Sequence, residues 1–134
     1  MPVYAPADTT GMSVNPSQFD VLQHAVAASA LRHKVIAQNI ANVNTPGYQA
    51  REVRFEEALQ RAVDSGGSEG LRGTEVDEFV DVREAAYSAV RQDGNTVDMD
   101  REIGNLNENV MKHQVYFQIL ATKFAQMRSA ITGR

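Results

Sequence analysis

The 134-residue chain contains no cysteine and no tryptophan. The first absence excludes disulfide frameworks, thiolate-bound zinc, iron–sulfur clusters and thiol nucleophiles together. It leaves the redox compartment open. With 5 Phe and 4 Tyr the aromatic share is 7%, so any core is narrow and aliphatic. Lys and Arg number 13 against 17 Asp and Glu, a formal charge of −4, without the one-sided basic surplus that a nucleic acid or an anionic lipid surface demands. The first basic residue is Arg32, so no positively charged segment opens the chain and a cleaved secretory signal peptide is not expected. The longest near-apolar run, Ala25 to Leu31, is interrupted by Ser29 and falls far short of the roughly 18 residues of a membrane span. Direct membrane insertion is therefore not expected. The length suits one domain, or one domain with disordered ends.

What the chain does have is helical periodicity at both ends. Residues 1–14 mix Pro, Gly, Thr and Asp without it and read as a disordered tail. Asn15 then supplies an N-cap, Pro16 a first helical position that needs no N–H, and Gln18 the third residue of a capping box. From there Phe19, Leu22, Val26, Ser29, His33, Ile36, Ile40 and Val43 recur at 3,4 spacing, the mark of a heptad seam. This predicts a helix within 15–45, running to about Asn44, where Pro46 ends it and Pro46-Gly47 suits a type II turn. A second seam is cleaner: Met99, Ile103, Leu106, Val110, His113, Phe117, Leu120, Phe124, Met127 and Ile131. It predicts a helix over 98–134, capped by Asp98, with Asp100 and Glu102 in the turn where the helix dipole favours negative charge. At about 1.5 Å per residue the two helices span roughly 40 and 50 Å, a rod in place of a globule.

Between them the signals weaken. Phe55 to Val63 allows a short helix, Asp64 to Gly73 is a Gly- and Ser-rich linker, Glu75 to Val82 alternates like a short strand, and Arg83 to Val90 allows one or two helical turns. Asp93-Gly94 marks a turn. The fold class expected is all-α: long N- and C-terminal helices paired as a coiled-coil-like hairpin, joined over 46–97 by a turn, a short helix and a flexible, partly irregular segment. A two-helix hairpin of this size is marginal alone. Either the short middle helices complete a bundle inside one molecule or, as the polar and glycine-rich centre suggests, other subunits cover the open side.

No catalytic, cofactor-binding or metal site is expected. His24 and His33 are nine residues apart and fall on opposite faces of one helix. His33 and His113 both occupy seam positions, as satisfied interface histidines or as a pH-sensitive contact. The run Asp93 to Asp100 has Asp98 and Gly104 where a calcium loop needs Gly and a bidentate Glu. No Gly-x-Ser-x-Gly elbow accompanies the serines, and Gly66-Gly67 and Gly70 lack the Lys-Ser/Thr ending of a phosphate loop.

One segment is specific enough to name a family. Asn39-Ile40-Ala41-Asn42-Val43-Asn44-Thr45-Pro46-Gly47-Tyr48 resembles the N-terminal signature of the flagellar rod and hook proteins, NIAN-x-x-TPGY. Read from the residues alone, Asn39 and Asn42 are poor helix formers whose amides should meet backbone or a neighbouring subunit, and Tyr48 is placed to pack back with its hydroxyl bonded. The segment Asp93 to Glu102, followed by a heptad helix ending in Met127-Arg128-Ser129-Ala130-Ile131, resembles the proximal-rod members of that family. The resemblance covers about residues 17–60 and 92–134.

It implies a structural, non-enzymatic subunit of the proximal rod of the bacterial flagellar basal body. Such a subunit assembles through its terminal helices into the axial tube that transmits torque. The signature turn and the seam residues Phe19, Leu22, Val26, Ile36, Ile40, Val43, Ile103, Leu106, Val110, Phe117, Leu120, Phe124, Met127 and Ile131 would carry that assembly. The implied partners are other rod proteins, further copies of the chain, the rod-to-ring adaptor and the flagellar type III export apparatus. The implied location is the periplasmic rod, reached without signal cleavage. The competing reading is a soluble helical adaptor or export chaperone whose open seam binds one partner helix.

Overall fold

The computed structural model of the chain describes residues 16–64, 79–86 and 89–133. In chain order these form α1 (Pro16–Ala41), β1 (Arg51–Arg54), α2 (Glu56–Asp64), β2 (Asp81–Glu84) and α3 (Met99–Thr132). The expected tail 1–14, the Asn15 cap and most of the Gly- and Ser-rich linker lie outside the described residues. The fold is largely all-α, two long helices packed together with one small sheet beside them. Phe19 meets Phe124, Ser29 meets His113 and Asn39 meets Glu102, so α1 and α3 run antiparallel.

Helix α3 begins as its sequence predicts: the Asp98 side chain accepts the Arg101 N–H. Its end is set by Gly133, at φ 68°, whose N–H closes on the Ser129 carbonyl. Helix α1 ends at Ala41, three residues before the expected Asn44. The reason is local: Val43 N–H turns back to the Ile40 carbonyl and Thr45 N–H to Asn42, tighter closures than an α-helix allows.

The middle segment departs further from expectation. Of the strand expected over Glu75 to Val82, residues 75–78 lie outside the described residues and strand β2 occupies Asp81–Glu84; among the described residues of Arg83 to Val90, which leave out 87–88, no helical turn forms. Strand β1, which the charged stretch Arg51-Glu52-Val53-Arg54 does not advertise, claims those residues. The antiparallel register sets Arg51 opposite Glu84, Glu52 opposite Arg83 and Arg54 opposite Asp81. A slip by one residue either way would bring Arg51 against Arg83 or Glu52 against Glu84. Charge thus fixes a register that so short an apolar pattern could not.

The core also corrects the expectation that the centre is too polar to cover the helices. Val53, Phe55 and Val80 bury against Ala25, Ala28 and Val35 of α1, with Leu31, Leu59, Phe79 and Tyr116 packed around them. The two alanines leave room for Phe55, which is 1% exposed. Arg32 lies over the Phe55 ring at 4.5 Å and reaches both Glu56 oxygens at 2.6 and 2.7 Å, pinning α2 to α1.

Candidate functional site

The signature segment folds into a turn that the second recognisable segment clasps. Gly47 stands at φ 72° and the Tyr48 N–H reaches the Thr45 carbonyl, as a type II turn requires. Above it, Asn39 is fully buried and uses all its amide valences. Its Nδ2 donates to the Arg51 carbonyl at 2.7 Å and to Glu102 Oε2 at 3.2 Å; its Oδ1 accepts from the Arg51 N–H and the Tyr48 hydroxyl. A poor helix former is kept in the last turns because it ties α1, β1, the turn and α3 together.

The residues 91–98 complete the arrangement. Asn95, fully buried, donates its Nδ2 toward the carbonyls of Asn42, Val43 and Thr45 at 2.8–3.1 Å, closing the α1 terminus from outside. Arg91 reaches the same Val43 carbonyl. Thr96 accepts the Ala50 N–H through its hydroxyl and donates its own N–H to the Tyr48 carbonyl. Gly47 N–H meets the Asp93 carbonyl, and Gly94, at φ 80°, sits so close that an added Cβ would stand 3.4 Å from Gly47 Cα. Asp93, Asn95 and Asp98 spend their side-chain oxygens on backbone N–H groups of Asn95, Val97 and Arg101. That accounts for an acidic run that only superficially matched a calcium loop. Among the described residues no cluster of three or more His, Asp or Glu side chains could hold a metal.

The predicted seam is only partly a contact between the two helices. On α1, Ile36 is buried, and Phe19, Leu22, Val26 and Ile40 are half-buried, as is Val43 in the turn just beyond it. On α3, Leu106, Leu120 and Met127 are half-buried, whereas Ile103, Val110, Phe117, Phe124 and Ile131 are 37–82% exposed and form an open row at heptad spacing. The face turned to α1 instead carries Glu102 and Asn109, one residue earlier and about 100° around the helix. Hydrogen bonding explains the rotation. Asn109 donates to the Ser29 carbonyl at 2.9 Å, His113 Nδ1 lies 2.6 Å from Ser29 Oγ, and Glu102 meets Asn39. Buried polar groups favour pairing, and this orientation pairs the Asn109 amide nitrogen, His113 and Glu102, while Asn109 Oδ1 stays unpaired. Phe124 still touches Phe19 edge-on at 5.2 Å.

The histidines divide accordingly. His113 is an interface histidine, His33 is exposed and not in the interface as its heptad position suggested, and His24 bonds the Asp20 carbonyl with its ring against Phe79. Within the signature, Ala41, Asn44, Thr45, Pro46 and Gly47 are exposed. Asn42 donates to the Gln38 carbonyl, and its own Oδ1 accepts from Thr45. The residues that sequence reading missed are Asn95, Thr96 and Glu102. Their signal was present as small polar residues packed into a turn and a first helical turn, where capping roles hid the longer reach.

No helix among the described residues is long and apolar enough to cross a membrane. A family model described as flagella basal body rod protein matches residues 19–49, which take in most of α1 and the signature turn. Across most of its length the chain is similar to the flagellar basal body rod protein FlgB of Yersinia enterocolitica, 32% identical over 124 residues that cover 81% of this chain and 89% of that one. It is 31% identical to FlgB of Borrelia hermsii, covering 90% and 99% of the two chains, and 27% identical to FlgB of Bacillus subtilis, covering 91% and 98%. The turn, the clasp around it and these likenesses over nearly whole chains agree: the chain belongs to the FlgB family of flagellar basal body rod proteins.

Proposed function

We propose that this chain is a structural subunit of the proximal rod, stacked with other rod proteins and with copies of itself into the axial tube that transmits torque. The observation that carries the reading is the open row Ile103, Val110, Phe117, Phe124 and Ile131 on α3. A monomer with no further contact leaves five large apolar side chains partly open to water, Phe124 with one edge on Phe19, at the spacing of a helix-to-helix seam, an arrangement that marks an interaction surface. Head-to-tail packing of such a face against a different face of the next subunit extends into a helical array. The clasp end, with α2 and the sheet beside it, braces the rod. The rod-to-ring adaptor and the type III export apparatus are the further partners in this reading, and the periplasmic rod is the location. The signature turn serves assembly indirectly, by fixing how α1 and α3 leave the clasp.

The test is complementation of a strain lacking the chain. Phe117→Asp, which puts a charge on the open row, should abolish motility and the chain's recovery in purified basal bodies, while the exposed Gln118→Glu beside it should not. Monomer helicity by circular dichroism should match in both variants. A Phe117→Asp chain that still enters the basal body would overturn the assembly surface. A closed dimer with one partner helix in place of incorporation would favour the adaptor reading.

A further inference from the structure

Glu102 is the one carboxylate among the described residues that is almost wholly buried, at 1% exposure. At that burial little water reaches its charge, and the protein does little to replace it. The Asn39 amide supplies a single uncharged donor at 3.2 Å to Oε2. At the start of α3 the cap residue Asp98 disfavours a second negative charge nearby, while the exposed Arg101 favours it, as does the helix N-terminus. From β1, Arg51 lines the same cleft of about 290 Å³ without an ion pair to Glu102. The other cations of that cleft are engaged elsewhere: Arg32 on Glu56, Lys112 on Glu108 and Arg54 on Glu52. Burial pushes the Glu102 carboxyl above the ordinary carboxylate range and Asp98 adds to the rise, with the Asn39 bond and Arg101 offsetting only part of it.

We propose that Glu102 is a proton-operated joint of the clasp, its acid form holding α3 to Asn39 and the signature turn and its ionised form leaving a buried, unpaired charge that loosens the junction. In the acid form Oε2 remains the carbonyl oxygen that accepts the Asn39 amide proton, and the proton resides on Oε1. Because Asn39 also holds the Tyr48 hydroxyl and the Arg51 backbone, the cost of a charge buried against its amide is felt by all four elements, although that one hydrogen bond is itself no weaker to the ionised form. A folded state that binds the proton more tightly than the unfolded chain is favoured in acid and loses that advantage as pH rises through the folded-state titration. The inference rests on the fold alone and stands independently of the chain's assembly.

The experiment compares the full chain with Glu102→Gln, which keeps the shape and cannot ionise. Thermal unfolding is followed by circular dichroism at pH 5 and pH 8.5, with histidine titration common to both chains. Between the two pH values the native midpoint should fall by about 4 °C or more relative to the variant, leaving the variant the more stable at pH 8.5. Equal pH dependence, or a variant less stable than the native chain at pH 8.5, overturns the proposal. Should the variant not fold, ¹³C NMR titration of the native side-chain carboxyl decides. A midpoint above those of the exposed glutamates supports the joint, and an ordinary midpoint overturns it.

Discussion

Asn95 exerts more leverage than any other single side chain outside the helices. Its side chain is fully buried, its amide nitrogen faces three carbonyls of the turn just beyond α1, and its Oδ1 takes the Val97 N–H. Truncation removes the donor that gathers the three carbonyls and leaves the buried Val97 N–H without its acceptor. Asn95→Ala should therefore destabilise the fold by about 3 kcal/mol, whereas Asn44→Ala, at an exposed position of the same turn, should stay within about 0.5 kcal/mol. Urea denaturation of the two variants checks the contrast. Asp would be a poor replacement at 95, because a carboxylate offers acceptors where the carbonyls need a donor.

At the scale of the elements, α2 is attached to α1 chiefly through Arg32. Burial works to raise the Glu56 carboxyl, but the two-pronged Arg32 guanidinium and the backbone N–H groups of Glu56 and Phe55 outweigh it and bring the carboxyl down to about 2. A depressed carboxylate stabilises above its unfolded titration near 4.5 and loses that contribution as pH falls toward 2. Glu56→Gln should accordingly flatten the acid limb of stability between pH 4.5 and 2 and lower stability modestly at pH 7, since the pair is partly exposed and screened. Acid titration of thermal midpoints reads both effects.

The long elements were legible because heptad spacing, the Asp98 cap and the Pro46-Gly47 turn are local signals that need no knowledge of the rest of the chain. The sheet was not. Val53 is the only inward apolar residue of β1, and what sets its place is the charge match to β2 more than twenty residues away. The orientation of α3 was hidden for a related reason. Periodicity ranks faces by apolarity, whereas the fold turned toward α1 the face whose Glu102, Asn109 and His113 find polar partners. The signature turn could be read as a turn, but nothing local tied residues 39–48 to residues 91–98.

Across the whole molecule, buried polar pairing concentrates at the clasp end, and burial thins toward the other end of α3. The end where Asn39, Asn95, Thr96 and Glu102 converge holds most of the buried side chains, whereas the second half of α3 is exposed or half-buried throughout. Residues beyond about Met127 extend past Pro16, where α1 begins. Amide hydrogen exchange on the isolated chain should show the strongest protection at 32–41, 50–55 and 99–110 and the weakest in α3 beyond Leu120. Uniform protection along α3 would contradict this division.

The contact between Gly47 and Gly94 has a practical corollary for anyone building hybrids from related chains. The two recognisable stretches touch backbone to backbone, with no side-chain cushion to absorb a mismatch. A donor's turn transplanted without its own matching 91–98 stretch would arrive as half of an interlocking pair, so the two must be moved together, as though they were a single contiguous cassette.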